Sequence, residues 1–486
     1  MTNRLLAILI TLALQVTISV WAAERTIYVL SDAHVMDPSL VDSPTNKAWK
    51  DFLQTDKTMP ELSAQIFDLL VDKIIAEKPD LLLMPGDLTK DGEVVSHQYV
   101  VQRLARIEAA GIPVYVIPGN HDRGWMDDAL VYANDTCTAA EMLDNNGFAE
   151  YYRNYGYDSD TEHYENTLTY TVDPLPGLTL IGIDTGIWSQ YRDETVDWVC
   201  DKALRARRKG NQVIVMQHHL LMPHYYDQNE IFELSTPENY SEVRERFIDA
   251  GIKVVLSGHT HASDIARYTN ADGQEIYDIC TGTPIAYPCD FRVLTINEPF
   301  TQLKVATRSL LDTDGISEQI GIEQFPIYAE DRLLQSSMRW ANRWLKTKNF
   351  ENEFLASEVA YCFVIHAEGD EPENPESDNE LAFFRILLDK IAPLLGEQVV
   401  SMTQTISESI KSMLGDYSDP EHKTNVVKDR SLTITMPTTI PSGIQTVQTA
   451  TATDDGKWYT LQGIPLASKP THKGIYIHNG RKTIVE

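Results

Sequence analysis

Five short stretches of the sequence hold carboxylates, imidazoles and an amide close together. They are Asp32 and His34 in SDAH, Asp87 in PGDL, Asn120, His121 and Asp122 in GNHD, His218 and His219 in QHH, and His259 and His261 in GHTH. Set beside a core without compensation, such groups are costly, because charged side chains resist leaving water. Divalent cations remove that cost. Carboxylate, imidazole and amide oxygen together suit manganese, iron or zinc, whereas an all-oxygen shell suits calcium or magnesium. The donors outnumber what one tetrahedral ion takes, so two ions sharing a carboxylate are expected. Such pairs stand roughly 3.5–4 Å apart, clamp a phosphoryl group and acidify a bound water.

Each stretch ends an apolar run: TIYVL, LLLMP, VYVIP, VIVM and KVVL, with LTLIGI as a sixth run of the same kind. The runs read as buried strands. In an open α/β sheet the strand carboxyl ends share one rim, so residues far apart in sequence meet there. Between the runs, Leu62, Ile66, Leu69 and Leu70 recur at helical spacing, as do Val196, Val199, Ala203 and Leu204. Gly111, Gly210 and Gly251 follow as helix stops. After His261 the texture changes to DIARYT, EIYDICTG, FRVLTI and QLKVAT, a meander that completes a second sheet and closes the first domain near residue 312.

The ordered set DxH, GD, GNHD, a histidine after a strand, and GHxH resembles the calcineurin-like metallophosphoesterase family over residues 26 to about 262. The resemblance implies a four-layer sandwich, two mixed β-sheets flanked by helices. It implies that Asp32, His34 and His261 hold one ion, that Asn120, His218 and His259 hold the other, and that Asp87 bridges them. His121 would approach the substrate phosphate and the leaving-group oxygen, with Asp122 orienting its ring. The cofactor is then two divalent or trivalent ions of manganese, iron or zinc. The reaction is attack of a metal-bridging hydroxide on the phosphorus of a small phosphate ester, with monoester and diester equally open and a cyclic-nucleotide phosphodiesterase as one alternative. The family's fourth motif is usually His, one residue, Pro. Here His218, His219 and Leu220 stand instead, with proline only at Pro223. His218 follows the strand directly and is the favoured ligand, with His219 the alternative. Lys90 occupies the place of the tyrosine that purple acid phosphatases carry after the bridging Asp, so no purple iron centre is expected.

Other residues read more blandly. Asp184 in IGIDTG reads as a loop anchor, His97 as a solvated helix residue, and His219 and His224 as candidates for the pocket wall. The net charge of −30 opposes nucleic-acid binding, which needs lysines and arginines against phosphates. Arg4 and the run LLAILITLALQVTISV, ending in small residues, read as a signal peptide over 1–22. No stable membrane insertion is expected, and the mature chain is expected to be secreted, periplasmic or on the cell surface. Five cysteines leave at least one unpaired; Cys280 and Cys289, flanking TGTPIAYP, fit either a disulfide or two thiols.

The catalytic domain is thus expected over 23–312 and a mainly helical segment over 313–430. That segment has Leu334, Met338, Ala341 and Leu345 along one face and an acidic loop at 368–380. A small β domain is expected over 431–486, where KWYTL reads as a strand and IYIH, Asn479-Gly480, RKTIV as a hairpin. This tail resembles the sorting domains of type IX secretion, which implies an export machinery as partner. The rival of another class is a cell-surface binding protein with a vestigial metal site. It would bind metal without turnover.

Overall fold

The computed structural model describes residues 24–123, 129–186, 190–226, 228–231, 235–347, 353–369, 412–414 and 428–438, with short pieces between 457 and 485. The signal segment expected over 1–22 and most of the acidic loop lie outside the described residues. The chain divides into two compact units, Met1–Ile440 and Pro441–Glu486.

The first unit is a mixed α/β fold of two sheets. Its strands are β1 (Glu24–Val29), β2 (Leu81–Met84), β3 (Val114–Val116), β4 (Leu130–Ala133), β5 (Thr136–Ala139), β6 (Glu162–His163), β7 (Tyr170–Leu175), β8 (Leu178–Gly182), β9 (Gln212–Met216), β10 (Val254–Ser257), β11 (Ile265–Thr269), β12 (Glu275–Cys280), β13 (Asp290–Asn297), β14 (Gln302–Ser309) and β15 (Ser431–Thr435). One sheet runs β15-β14-β13-β1-β2-β3 and the other β11-β12-β10-β9-β8-β7-β6, while β4 and β5 form a separate hairpin. The strands that precede the five motifs lie side by side and parallel within their sheets: β1 with β2 and β2 with β3, then β9 with β10. Their carboxyl ends therefore point the same way in each sheet.

Strand alternation builds the layers, because successive side chains leave a strand on opposite faces. Ile27, Val29, Leu81 and Leu83 of the first sheet meet Ile214, Met216, Val254 and Leu256 of the second in one core between the sheets. The intervening residues face outward. Tyr28, Leu82 and Met84 pack with Ile66, Phe67, Leu70, Val100 and Leu104 of the helices Ser63–Glu77 and Val94–Ala109. Val213, Val215 and Val255 pack with Val196, Val199, Ala203 and Phe247 of the helices Asp193–Lys209 and Tyr240–Asp249. Strands covered on both faces need apolar residues throughout, which is why these runs lack polar alternation.

The boundary near 430 differs from expectation. β15 pairs antiparallel with β14 and puts Ile434 into the inter-sheet core, so the first strand of the tail belongs to the first unit. The helical segment contains the helices Phe325–Thr347 and Glu353–Glu368. Ala341, Leu345, Ala356, Val359 and Cys362 form a small cluster with Tyr225, which docks this segment on the loop after His219. No described helix is long and apolar enough to cross a membrane. Among its described residues the second unit has four short strands, including the antiparallel pair Gly474–His478 and Arg481–Val485, with Trp458 stacked on His478 at 4.2 Å between ring centroids.

All five cysteines are free thiols, which decides against a Cys280–Cys289 bridge. Cys280 sits against Gly258 O and Thr260 Oγ1, both at 3.2 Å, while Cys289 is part of the core beneath the first sheet.

Candidate metal centre

Beyond the strands, the loops that carry the motifs are laced to one another by their backbones. Asp32 N donates to Gly86 O at 3.1 Å and His34 N to Asp87 O at 2.9 Å, fixing the first motif to the second. Gly258 N donates to His218 O at 2.9 Å, fixing the fifth to the fourth. The two sheets are then tied together: His259 N lies 3.0 Å from both Asp32 carboxylate oxygens, and the His218 ring meets Pro85 O through Nδ1 at 2.9 Å.

These loops hold strained backbone where the donors stand. Asp32, His34, Asp87, His259 and His261 all have positive φ, at 52°, 40°, 48°, 73° and 65°. A residue with a side chain gives up about 1–3 kcal/mol to sit there, and such strain collects at ligand sites that the surrounding structure over-determines. Close approach adds a second constraint: a Cβ on Gly119 would collide with the Asp87 carboxylate, and one on Gly258 with Ser31 and the Asp32 carboxylate.

Donor atoms of Asp32, His34 and His261 lie within 4.8 Å of one another, as do those of Asp87, His218 and His259, and those of His34, Asp87 and His121. His34 Nε2 is 3.1 Å from His261 Nε2, and His261 Nε2 is 3.4 Å from Asp32 Oδ1. On the other side, His218 Nε2 is 3.0 Å from Asn120 Oδ1 and 3.1 Å from Asp87 Oδ2. Asp87 Oδ2 also lies 3.5 Å from His34 Nε2, so one carboxylate oxygen is reached from both groups. Asp32 and Asp87 are 0% and 1% exposed, and His121, at 35% for its side chain, stands at the opening.

The electrostatics follow from burial and from these neighbours. Burial alone would raise the Asp32 and Asp87 carboxyls, but the imidazoles outweigh it and hold both below the usual range. Burial pushes His34 down to about 3 and also lowers His259 and His261, so these rings are neutral and offer lone pairs. His218 and His121 go the other way: burial opposes, but Asp87, with the Asp91 carboxylate for His121, lifts each to about 9. Neutral imidazoles aimed at one small volume beside two ionised, water-excluded carboxylates are a donor set that divalent cations satisfy.

Some residues have other places than expected. Asp122 does not orient His121. It is fully buried and accepts from Gly119 N, Leu88 N, Thr89 N and Thr89 Oγ1 at 2.9–3.1 Å, tying the second and third motifs together. The partner of the His121 ring is Asp91, whose Oδ1 lies 2.8 Å from Nδ1. His97 is buried rather than solvated, with Nε2 at 2.9 Å from Asp122 O and Nδ1 at 2.8 Å from Tyr152 OH. Asp184 anchors a loop, as expected, through Arg123 at 2.8 and 3.1 Å.

Neither His219 nor His224 lines the cavity beside His261. His219 Nδ1 is 2.8 Å from Thr185 Oγ1 and its ring packs 4.5 Å from that of His259, while His218 is the ring that faces Asp87. His224 lies buried between Asp264 and Asp278, at 3.1 and 3.2 Å, contacts that are ionic and poorly aligned for hydrogen bonds. Asp91 went unnoticed in the sequence although it stands four residues beyond Asp87; an acid in the loop directly after a motif was the available signal.

Residues 25–263 match the model of the calcineurin-like phosphoesterase family. The matched span contains every candidate donor named above. Among solved structures, the chain is similar to a dimetal phosphatase from Danio rerio at 13% identity, over 59% of this chain and 96% of that one, with a TM-score of 0.41. It is similar also to the purple acid phosphatase PPD1 from yellow lupin, Lupinus luteus, at 15% identity, over 60% of this chain and 52% of that one, with a TM-score of 0.39. A search of curated proteins finds no match.

Proposed function

We propose that the chain is a binuclear-metal phosphoesterase that hydrolyses small phosphate esters. The observation that carries this reading is Asp87, whose Oδ2 lies 3.5 Å from His34 Nε2 and 3.1 Å from His218 Nε2 and so can serve two cations at once. Asp32, His34 and His261 would hold one ion, and Asn120, His218 and His259 the other. The family match over residues 25–263 supports the same reading. Manganese, iron or zinc bound there would supply an acidified water and positive charge against the phosphoryl oxygens.

The protein's own groups do the rest. His121 N donates to Asp87 Oδ1 at 2.8 Å, which fixes the backbone of the third motif against the shared carboxylate. With Nδ1 engaged by Asp91, His121 presents Nε2 to the ester and can pass a proton to the departing oxygen. The laced loops keep the donors in place before substrate arrives, so little reorganisation accompanies reaction.

The N-terminal run after Arg4 supports export from the cytoplasm, and the texture of residues 432–486 supports a sorting role for the tail. The test of activity is to load the mature chain with manganese, iron or zinc and compare turnover of a phosphate monoester and a phosphate diester. Turnover of either supports the reading. Tight metal binding with no turnover of both would replace it with the binding-protein alternative.

A further inference from the structure

We propose that the helical segment after the second sheet builds the leaving-group subsite, and that it selects esters whose organic group carries a flat ring system with polar edges. The inference rests on the phosphoesterase reading. A cavity of about 200 Å³ opens beside Thr260 and His261 and is closed on its far side by the helices Phe325–Thr347 and Glu353–Glu368. One wall is therefore the rim of the candidate metal centre and the other belongs to a segment outside the matched span of 25–263.

The wall chemistry is specific. Tyr225, Tyr287, Trp340 and Phe363 line the cavity, with Trp340 and Phe363 set edge to face at 4.9 Å and 84°. Aromatic rings attract flat π-systems and cations; Trp340, which stacks on Trp344 at 5.6 Å, and Phe363 are both half-buried where they line the cavity. Ser337 supplies a hydroxyl on the same wall, beside Ser336, whose own hydroxyl donates to Leu333 O at 2.9 Å. Lys57 and Arg343 line it as well, Lys57 in the field of the Asp32, Asp56 and Asp87 carboxylates. The Tyr225 hydroxyl is buried with no hydrogen-bond partner among the described residues.

Size narrows the choice. Pockets for drug-sized ligands run to roughly 300–1,000 Å³, so this one, at about 200 Å³, is matched to a ring-sized group. A polyanion is disfavoured because two cations among aromatic walls cannot neutralise several phosphates. Nucleoside and aryl phosphates share the flat polar ring that fits.

The test uses the metal-loaded full chain with three substrates: adenosine 5′-monophosphate, p-nitrophenyl phosphate and glycerol 2-phosphate. Trp340→Ala should lower the ratio of kcat/KM for a ring-bearing ester over glycerol 2-phosphate by about tenfold, mainly through KM. The ring ester that loses more identifies the nucleoside or the aryl group as the natural fit. Arg343→Gln, at an exposed helix position, should lower the same ratio in the same direction, keeping the proposal testable if the tryptophan variant misfolds. Equal losses on all three esters, or an unchanged ratio in both variants, would overturn the subsite. Should the unaltered chain turn over none of the three monoesters, this inference fails; only if a phosphate diester is also left intact does the phosphoesterase reading fail with it.

Discussion

Asp91 Oδ1 lies 2.8 Å from His121 Nδ1, while His121 N donates to Asp87 Oδ1 at the same distance. The histidine at the mouth of the site is thus gripped twice, by its ring and by its backbone, from one loop that follows β2. Removing the ring's grip without touching a donor should separate positioning from metal binding. Asp91→Ala is expected to lower kcat about 10–100-fold while the bound metal stays unchanged, and Asp91→Asn should restore part of the rate because its amide oxygen still accepts. Metal analysis beside steady-state kinetics checks this; a loss of metal in Asp91→Ala would show that Asp91 acts on the centre itself.

Gly258 has no room for a methyl group, since a Cβ would strike Ser31 and the Asp32 carboxylate. Gly258→Ala is therefore expected to cost about 1–3 kcal/mol of stability, as overpacking does, and to weaken metal binding by moving Asp32. Denaturant unfolding and a metal titration measure the two effects separately.

His224 lies between Asp264 and Asp278, and although burial opposes its charge, those carboxylates lift it to about 10. A histidine raised above its unfolded value of about 6.5 contributes stability that is complete below that pH and is lost as pH rises through the folded value. His224→Asn removes the cation shared by two buried carboxylates, although Asp278 keeps its bonds from Leu221 N at 2.6 Å and Ser257 Oγ at 2.7 Å, so the change costs up to about 3–5 kcal/mol. The stability gap between the two proteins should have its full size at about pH 6.5 and shrink toward pH 10, as followed by urea unfolding across that range. A gap that widened with pH would contradict the charged pairing.

Removing metal should destabilise the chain, because Asp32 and Asp87 are held ionised and out of water at the centre. A ligand present at 1,000 times its dissociation constant adds about 4 kcal/mol to the folded state. The chelated protein is expected to melt measurably lower than the loaded one. Calorimetry before and after adding back manganese or zinc reads the difference.

What could be read from the sequence follows a physical line. The donors were legible because each stands directly after a run of apolar residues, and strand ends in parallel sheets converge whatever their spacing in the chain. The layers were legible because strands covered on both faces are apolar throughout, as in Leu81–Met84. Partners set by tertiary contact were not. Asp122 and Asp91 are both acids close to a motif, and only the folded loops decide which one meets the His121 ring. His97 reads as solvated because it is a polar helix residue, and only the fold supplies its partners, Asp122 O and Tyr152 OH. β15 reads as part of the tail because the strand it pairs with lies more than a hundred residues upstream. The cavity wall from Trp340 and Phe363 stayed hidden for the same reason: helical periodicity shows that a face is apolar, not what it faces.

The count of metal ions per chain tests the central claim most directly. Elemental analysis after dialysis against manganese or zinc should find two ions in the unaltered protein. Asp87→Asn should lose both ions together with activity, because the shared carboxylate serves the two sites. A single ion, or two ions retained without the Asp87 carboxylate, would contradict a centre built around that residue.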